Sequence, residues 1–346
     1  LIELRSDTFT LPTPEMLRAM TTAELGDDVY GEDPTVRELE ELAAGALGKE
    51  AACLTPSGTM ANLTAILAQA PRGSSVLVGD ESDIWIYEAG GASVLGGVTY
   101  RPVPVRADGR LDADGLAAAL PEDRDDPQFA LPALVCVENT QNRCGGVVLS
   151  LTDMAAVRSF ADAHGLAVHL DGARIFNAAV AAGLPVADLA RDADTVQFCL
   201  SKGLGAPIGS MVAGPGEVVT EIRRVRKLLG GGMRQAGVIA AAGLVAIRTA
   251  DRLADDHANA QRLATGLAGL PGVSVEPWPQ TNIVMFRVPQ TERVIAGLRA
   301  EGVAVAELGH GRIRAVTHRG VTPSDVDEAV AALACVLKSI TRNGGR

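Results

Sequence analysis

The stretch "TVQFCLSKGLGAPIGSMV", residues 195–212, decides how this chain must be built. The apolar run Thr195–Leu200 has the length of a buried strand and stops at Ser201-Lys202. A loop containing Gly203, Gly205, Pro207 and Gly209 follows, and then a second apolar run begins. A surface lysine usually sits among other charges on a helix face. Lys202 instead stands at a strand end, ringed by residues too small to shield it. Working outward, short apolar runs at Ser75–Val78, Leu134–Glu138, Ala167–Leu170, Thr195–Cys199 and Gly209–Val212 predict strands. Amphipathic patterns near Pro34–Ala46, Thr59–Ala70, Leu151–His164 and Gly216–Leu229 predict the helices between them. This alternation predicts an α/β fold, a mostly parallel central sheet flanked by helices. Asp33-Pro34 gives the first of these helices an N-cap and a proline at its first position.

The pattern changes after a long helical stretch from Ala236 to Leu270. "VSVEPWPQTNIVMFRVP" (273–289) and "VAVAELGHGRIRAVTH" (303–318) read as antiparallel strands around a helix at Thr291–Glu301, and a last helix covers Pro323–Leu337. The expected division is a large domain over residues 1–250, with an N-terminal arm at 1–14, and a smaller C-terminal α+β domain over 251–346.

At 346 residues, with 47% hydrophobic but only 3% aromatic content, the chain describes a globule built from Ala, Leu and Val. A net charge of -11 leaves no basic field for nucleic acid or an anionic membrane surface. The longest apolar stretch, Ala236–Ile247, is too short to span a bilayer. No signal-peptide pattern is visible, and the five scattered cysteines show neither disulfide-framework nor metal spacing. A cytoplasmic protein with reduced thiols and no metal is expected.

Four short constellations could carry chemistry. Lys202 is preceded by serine and followed by glycine, so it fails the phosphate-loop pattern, and the glycines after it miss dinucleotide-binding spacing. An ordinary solvated lysine, or an amine placed to form an imine with a carbonyl, remains. In "VHLDGARIFNAA" (168–179), Asp171 ends a strand, where α/β proteins bind ligands. It suits either a helix N-cap or a carboxylate that keeps a heteroaromatic nitrogen protonated. His169 shares its strand face and reads as a group that orients the acid. "TPSGTMAN" (55–62) puts Ser57, Gly58 and Thr59 at a helix start, as a cap or as an anion cradle. In "RVRKLLGGGMRQAG" (224–237), Lys227 and Arg234 bracket three glycines, either complementing a helix end or closing over a phosphate. Each has an ordinary structural reading when taken singly. Together on one α/β chain they describe a pyridoxal-phosphate (PLP) site.

These residues carry a resemblance. With "LRSDTFT", "GDDVYGEDPTV", "YEAGG", "ENTQNRCGG" and "IRAVTH", they make the chain similar, nearly end to end, to the L-threonine aldolase (β-hydroxy-α-amino-acid aldolase) family of fold-type-I PLP enzymes. The resemblance implies that Lys202 holds the cofactor, Asp171 pairs with its ring nitrogen, and Gly58 and Thr59 bind its phosphate. Lys227, Arg234 and Tyr30 would reach that region from a neighbouring subunit. Ser6, Arg174 and Arg314 would clamp the substrate carboxylate. The family usually forms a homotetramer of two tight dimers. Its reaction cleaves a β-hydroxy-α-amino acid into glycine and an aldehyde.

Two positions depart from the family pattern. Asp83, in "GDESDIWIYEAGG", stands where many members carry a histidine that stacks on the cofactor, and Gln141, in "ENTQNRCGG", replaces a second histidine near the substrate hydroxyl. Gly320, where an acid is common, is peripheral. General-base help is worth roughly 10²–10⁴-fold, so Asp83 is the expected substitute acceptor for the β-hydroxyl proton, with an altered aldehyde scope. The competing readings are a β-eliminating lyase, a racemase-like enzyme acting at Cα–H, and a non-catalytic relative. A nicotinamide oxidoreductase fits least.

Overall fold

Seven strands form the central sheet of the computed structural model, which describes residues 1–343. Across the sheet they run Ala51–Thr55, Ser210–Gly214, Thr195–Cys199, Ala167–Asp171, Pro132–Glu138, Ser75–Gly79 and Thr99–Val103. The last five are mutually parallel. Their interior members are buried on both faces, which is why they read as unbroken apolar runs instead of alternating ones. Ser210–Gly214 runs antiparallel to both of its neighbours. The loop before it is too short to carry a crossover helix, so the chain can only turn back. Gly205 (φ +88°) and Gly209 (φ +110°) supply the left-handed backbone that the turn requires.

Two strands lie outside the sequence expectation, and both are edges. Thr99–Val103 contains Pro102, which an edge tolerates because one side needs no ladder hydrogen bond. Ala51–Thr55 (AACLT) is too rich in alanine to stand out from the helix before it. The expected cap at Asp33-Pro34 forms: Asp33 Oδ1 accepts from Val36 N at 3.0 Å. The pattern from Ala236 to Leu270 is two helices, Gly237–Arg248 and Leu253–Ala268, joined by a 3₁₀ turn at Ala250–Arg252. There the chain leaves one apolar core for another.

The second core lies among the helices Leu253–Ala268, Thr291–Ala300 and Pro323–Asn343 and a four-stranded antiparallel sheet. Leu4, only 1% exposed, is part of it. The strand Ile2–Glu3 pairs in parallel with Val303–Ala304, and burying one leucine contributes about 2 kcal/mol. Beyond Leu4 the chain turns toward the large sheet, and Thr10 Oγ1 donates to the Lys202 carbonyl at 2.9 Å. The N-terminal arm therefore bridges the two cores.

Candidate active site

Every strand of the large sheet except Ser210–Gly214 points its carboxyl end to one edge. The segments leaving that edge carry Ser57–Thr59, Asp83, Asn142, Asp171 and Lys202. A cavity of about 280 Å³ opens there, lined by Ser57, Gly58, Thr59, Asn62, Asp83, Tyr87, Glu88, Asp171 and Lys202 among others. This is where an open α/β sheet binds its ligand.

Asp171 lies opposite Gln197 on one neighbouring strand and Glu138 on the other. Its Oδ1 accepts from the Gln197 amide and from Ala173 N at 3.0 Å, and Oδ2 accepts from Asn62 Nδ2 at 2.9 Å. Asp171 closes a turn and does not cap the following helix, Ile175–Ala182, whose N-cap residue Arg174 makes no side-chain cap bond. Burial and the Asp83 charge push its carboxyl upward, while Lys202, Asn62 and the Ala173 amide oppose them. His169 reaches the acid indirectly. Its Nε2 meets Asn62 Oδ1 at 2.9 Å and its Nδ1 meets Thr195 Oγ1 at 2.8 Å. Burial lowers the His169 pKa to about 3, so the ring is neutral.

The helix Gly58–Gln69 presents its start to the same cavity. Ser57 Oγ caps Met60 N at 3.2 Å, and Ala61 N donates to Ser57 O. The N–H groups of Gly58 and Thr59 have no backbone partner among the described residues. Two free donors at a helix N-terminus suit an anion. A Cβ at Gly58 would lie 2.8 Å from Cys199 Sγ, so only glycine fits this approach. The amine of Lys202 makes no hydrogen bond among the described residues and faces the cavity. Burial lowers its proton affinity, but Cys199, Asp83 and Asp171 outweigh burial and Arg174, and the net shift is upward. A free amine, a buried carboxylate and a helix start with two free N–H donors thus share one cavity, a donor set whose chemistry fits a group such as PLP that carries a carbonyl, a ring nitrogen and a phosphate.

A β-eliminating lyase family model matches residues 3–291. A probable low-specificity L-threonine aldolase of Arabidopsis thaliana is 43% identical, covering 98% of each chain. The chain belongs to the threonine aldolase family. A threonine aldolase structure from Leishmania major superposes with a TM-score of 0.83 at 22% identity, over 97% of this chain and 99% of that one. SPT solved with PLP gives a TM-score of 0.76 at 19% identity, over 98% and 88%. The fold is that of the fold-type-I PLP enzymes.

The remaining positions expected from the threonine aldolase resemblance fall into three groups. Asp83 lines the cavity; its Oδ1 accepts from Asn142 Nδ2 at 3.0 Å, and its backbone N donates to Glu138 at 2.7 Å. Gln141 does not line the cavity. Its Nε2 donates to Glu81 O at 2.7 Å and its Oε1 accepts from Cys144 N at 2.8 Å, so its amide is spent on backbone. Arg174 is buried, donating to both oxygens of Asp7 at 2.8 and 2.6 Å. Arg314 donates to Asn142 Oδ1 at 2.7 Å and Arg5 O at 3.1 Å, and its buried Nε has no partner among the described residues. Ser6 caps the turn Asp7–Phe9 beside them. Tyr30, Lys227 and Arg234 are exposed and none lines the cavity. Ion pairs Arg226–Asp28 (2.8 Å) and Arg234–Asp27 (3.0 Å) gather their segments on one face.

Four site residues escaped the sequence reading: Asp7, Asn62, Glu88 and Asn142. Two of them, Asp7 and Asn142, lie immediately beside the candidates Ser6 and Gln141. Asn62 is one helical turn after Gly58, a spacing that places both on one face.

Proposed function

We propose that this enzyme uses PLP to cleave L-threonine, L-allo-threonine or related β-hydroxy-α-amino acids reversibly into glycine and an aldehyde. The observation that carries the reading is the unpartnered Lys202 amine sharing a cavity with Asp171 and the helix start at Gly58. The Arabidopsis relative's description as an L-threonine aldolase, at near-complete coverage, supports the reaction. Lys202 would attach the cofactor, Asp171 would pair with its ring nitrogen, and Gly58 and Thr59 would hold its phosphate. When bound, the group supplies an electron sink for charge left on the amino acid's α-carbon.

The chain's own side chains then select the bond. Arg174 and Arg314 are the cations for the substrate carboxylate, and holding that carboxylate fixes which Cα substituent is aligned to break. Ser6 adds a hydroxyl beside them. Asp83 Oδ1 is held by Asn142, whereas Oδ2 makes no hydrogen bond among the described residues. That free oxygen is the acceptor for the β-hydroxyl proton. Gln141, occupied by backbone groups, acts by shaping the loop that carries Asn142. Proton NMR with L-threonine, L-allo-threonine and L-threo-phenylserine, beside a Lys202→Ala control, tests the reading. Lysine-dependent glycine and aldehyde are expected; pyruvate and ammonia instead would transfer the assignment to β-elimination.

We also propose a homotetramer with active sites at subunit interfaces, Lys227, Arg234 and Tyr30 serving a neighbour's cavity. Tyr30 (75%), Val94 (77%) and Leu228 (81%) are exposed in the single chain, as interface residues are before assembly. A monomer in sedimentation equilibrium would remove this proposal. The division near residue 250 is supported by the separate apolar cluster beyond it.

A further inference from the structure

One buried carboxyl in the cavity has no role in the chemistry above. Glu88, 8% exposed, follows the short helix Asp83–Ile86 and lines the cavity beside Asp171. Its only side-chain hydrogen bond among the described residues is from Asn62 Nδ2 to Oε1, at 2.8 Å. The same nitrogen donates to Asp171 Oδ2 at 2.9 Å. Two carboxyl oxygens bonded to one nitrogen lie within the ~4–6 Å over which like charges couple strongly.

The orientation of the shared amide is fixed from behind. Gln69 Nε2 donates to Thr195 Oγ1 at 2.8 Å. With His169 neutral, the Thr195 hydroxyl donates to Nδ1 and the Nε2 proton goes to Asn62 Oδ1. Every donor in the chain points toward the two carboxyls, and the chain ends in one NH₂ group with one proton for each.

We propose that Glu88 is a positioning residue that stands protonated at neutral pH, so that Asp171 alone carries the negative charge at the head of the Asn62 amide. The donor inventory decides which of the pair keeps the proton. Asp171 accepts three hydrogen bonds, from Gln197, Ala173 and Asn62, whereas Glu88 accepts one. The groups facing Glu88 are Asp171, Asp83, Lys202, Tyr100 and Cys136, from five different segments. Lys202 is the only cation among them. Burial first, then the Asp171 charge, moves the Glu88 pKa to about 8. Protonated, Glu88 offers the cavity a hydrogen-bond donor and no second anion to compete with Asp171 for a protonated ring nitrogen. This role of the charge on Asp171 rests on the PLP reading; the protonation of Glu88 does not.

Infrared difference spectroscopy of the cofactor-free protein between pH 6.5 and 9.5 tests it. A protonated-carboxyl C=O band should disappear around pH 8 and be absent from Glu88→Gln. In Asp171→Asn the same loss should move to lower pH by about one unit or more, because the neighbouring charge is gone. This second variant serves if Glu88→Gln does not fold, and a merely structural Glu88 would not produce the shift. In the cofactor-loaded protein, the visible absorbance should show a pH inflection near 8 that Glu88→Gln lacks. Difference spectra identical in wild type and Glu88→Gln, or a band unmoved in Asp171→Asn, overturn the proposal. Failure of the protein to develop a visible cofactor band would overturn the PLP reading while leaving the infrared result standing.

Discussion

Replacing Asp7 by alanine strips Arg174 of its bidentate partner inside the protein. The two side chains are 0% and 4% exposed, and the hydrogen bonds between them are 2.6 and 2.8 Å long. Asn282 also loses an acceptor, at 3.3 Å. Breaking a buried pair from one side costs about 3–5 kcal/mol, most of it from the orphaned charge. With a urea slope of about 3 kcal/mol/M, the unfolding midpoint should fall by roughly 1–1.7 M. The double substitution Asp7→Ala with Arg174→Met leaves no charge behind and should recover at least about 2 kcal/mol of that loss. The pH dependence has a definite sign. Burial works against the Asp7 anion, but the charge and hydrogen bonds of Arg174 overcome it and hold the carboxyl well below its usual range. A depressed native value gives stabilisation that is present above the unfolded value, about 3.9, and is lost as pH falls through the native one. The gap between wild type and Asp7→Ala should therefore stay constant from pH 5 to 8 and narrow only below about pH 4. A single variant within about 1 kcal/mol of wild type, or a double variant no more stable than the single, would refute the reasoning.

Two further outcomes follow from the same cavity. Gly58→Ala puts a methyl 2.8 Å from Cys199 Sγ at the helix start; overpacking costs about 1–3 kcal/mol, and PLP affinity measured by absorbance titration should fall at least about tenfold. Adding Cys199→Ala should restore part of both. Asp83→His should change the relative glycine-release rates from L-threonine, L-allo-threonine and phenylserine, read by NMR; constant ratios would remove Asp83 from contact with the β-hydroxyl.

The sheet and its helices are legible because four of the five strands read from the sequence are parallel and doubly covered, which leaves unbroken apolar runs between capped helices. Thr99–Val103 was not legible, since an edge strand carries Pro102 and no such run. The helical pattern over 236–270 hides the break between its two helices because periodicity continues through Thr249, where the structure changes cores. Within the site, Lys202, Asp171 and Gly58 announce themselves by unusual placement at strand or helix ends. Asn62, Glu88, Asp7 and Asn142 do not. Their significance lies in whom they touch, and those partners are as much as 275 positions away, as with Asp7 and Asn282. A one-dimensional pattern holds no signal for such pairs.

The N-terminal arm has a consequence for the order in which the molecule can be made. Leu4 seals a core whose other members all lie beyond residue 259, and Ile2 pairs with Val303. At roughly 5–20 residues per second, a ribosome needs roughly 15–60 s to make the intervening 300 or so residues. Throughout that interval the large sheet can assemble and place Lys202, while Ile2 and Leu4 lack the strand and the core on which they dock. The arm that closes the pocket is therefore anchored at Ile2 and Leu4 only after residues made about 300 positions later have emerged.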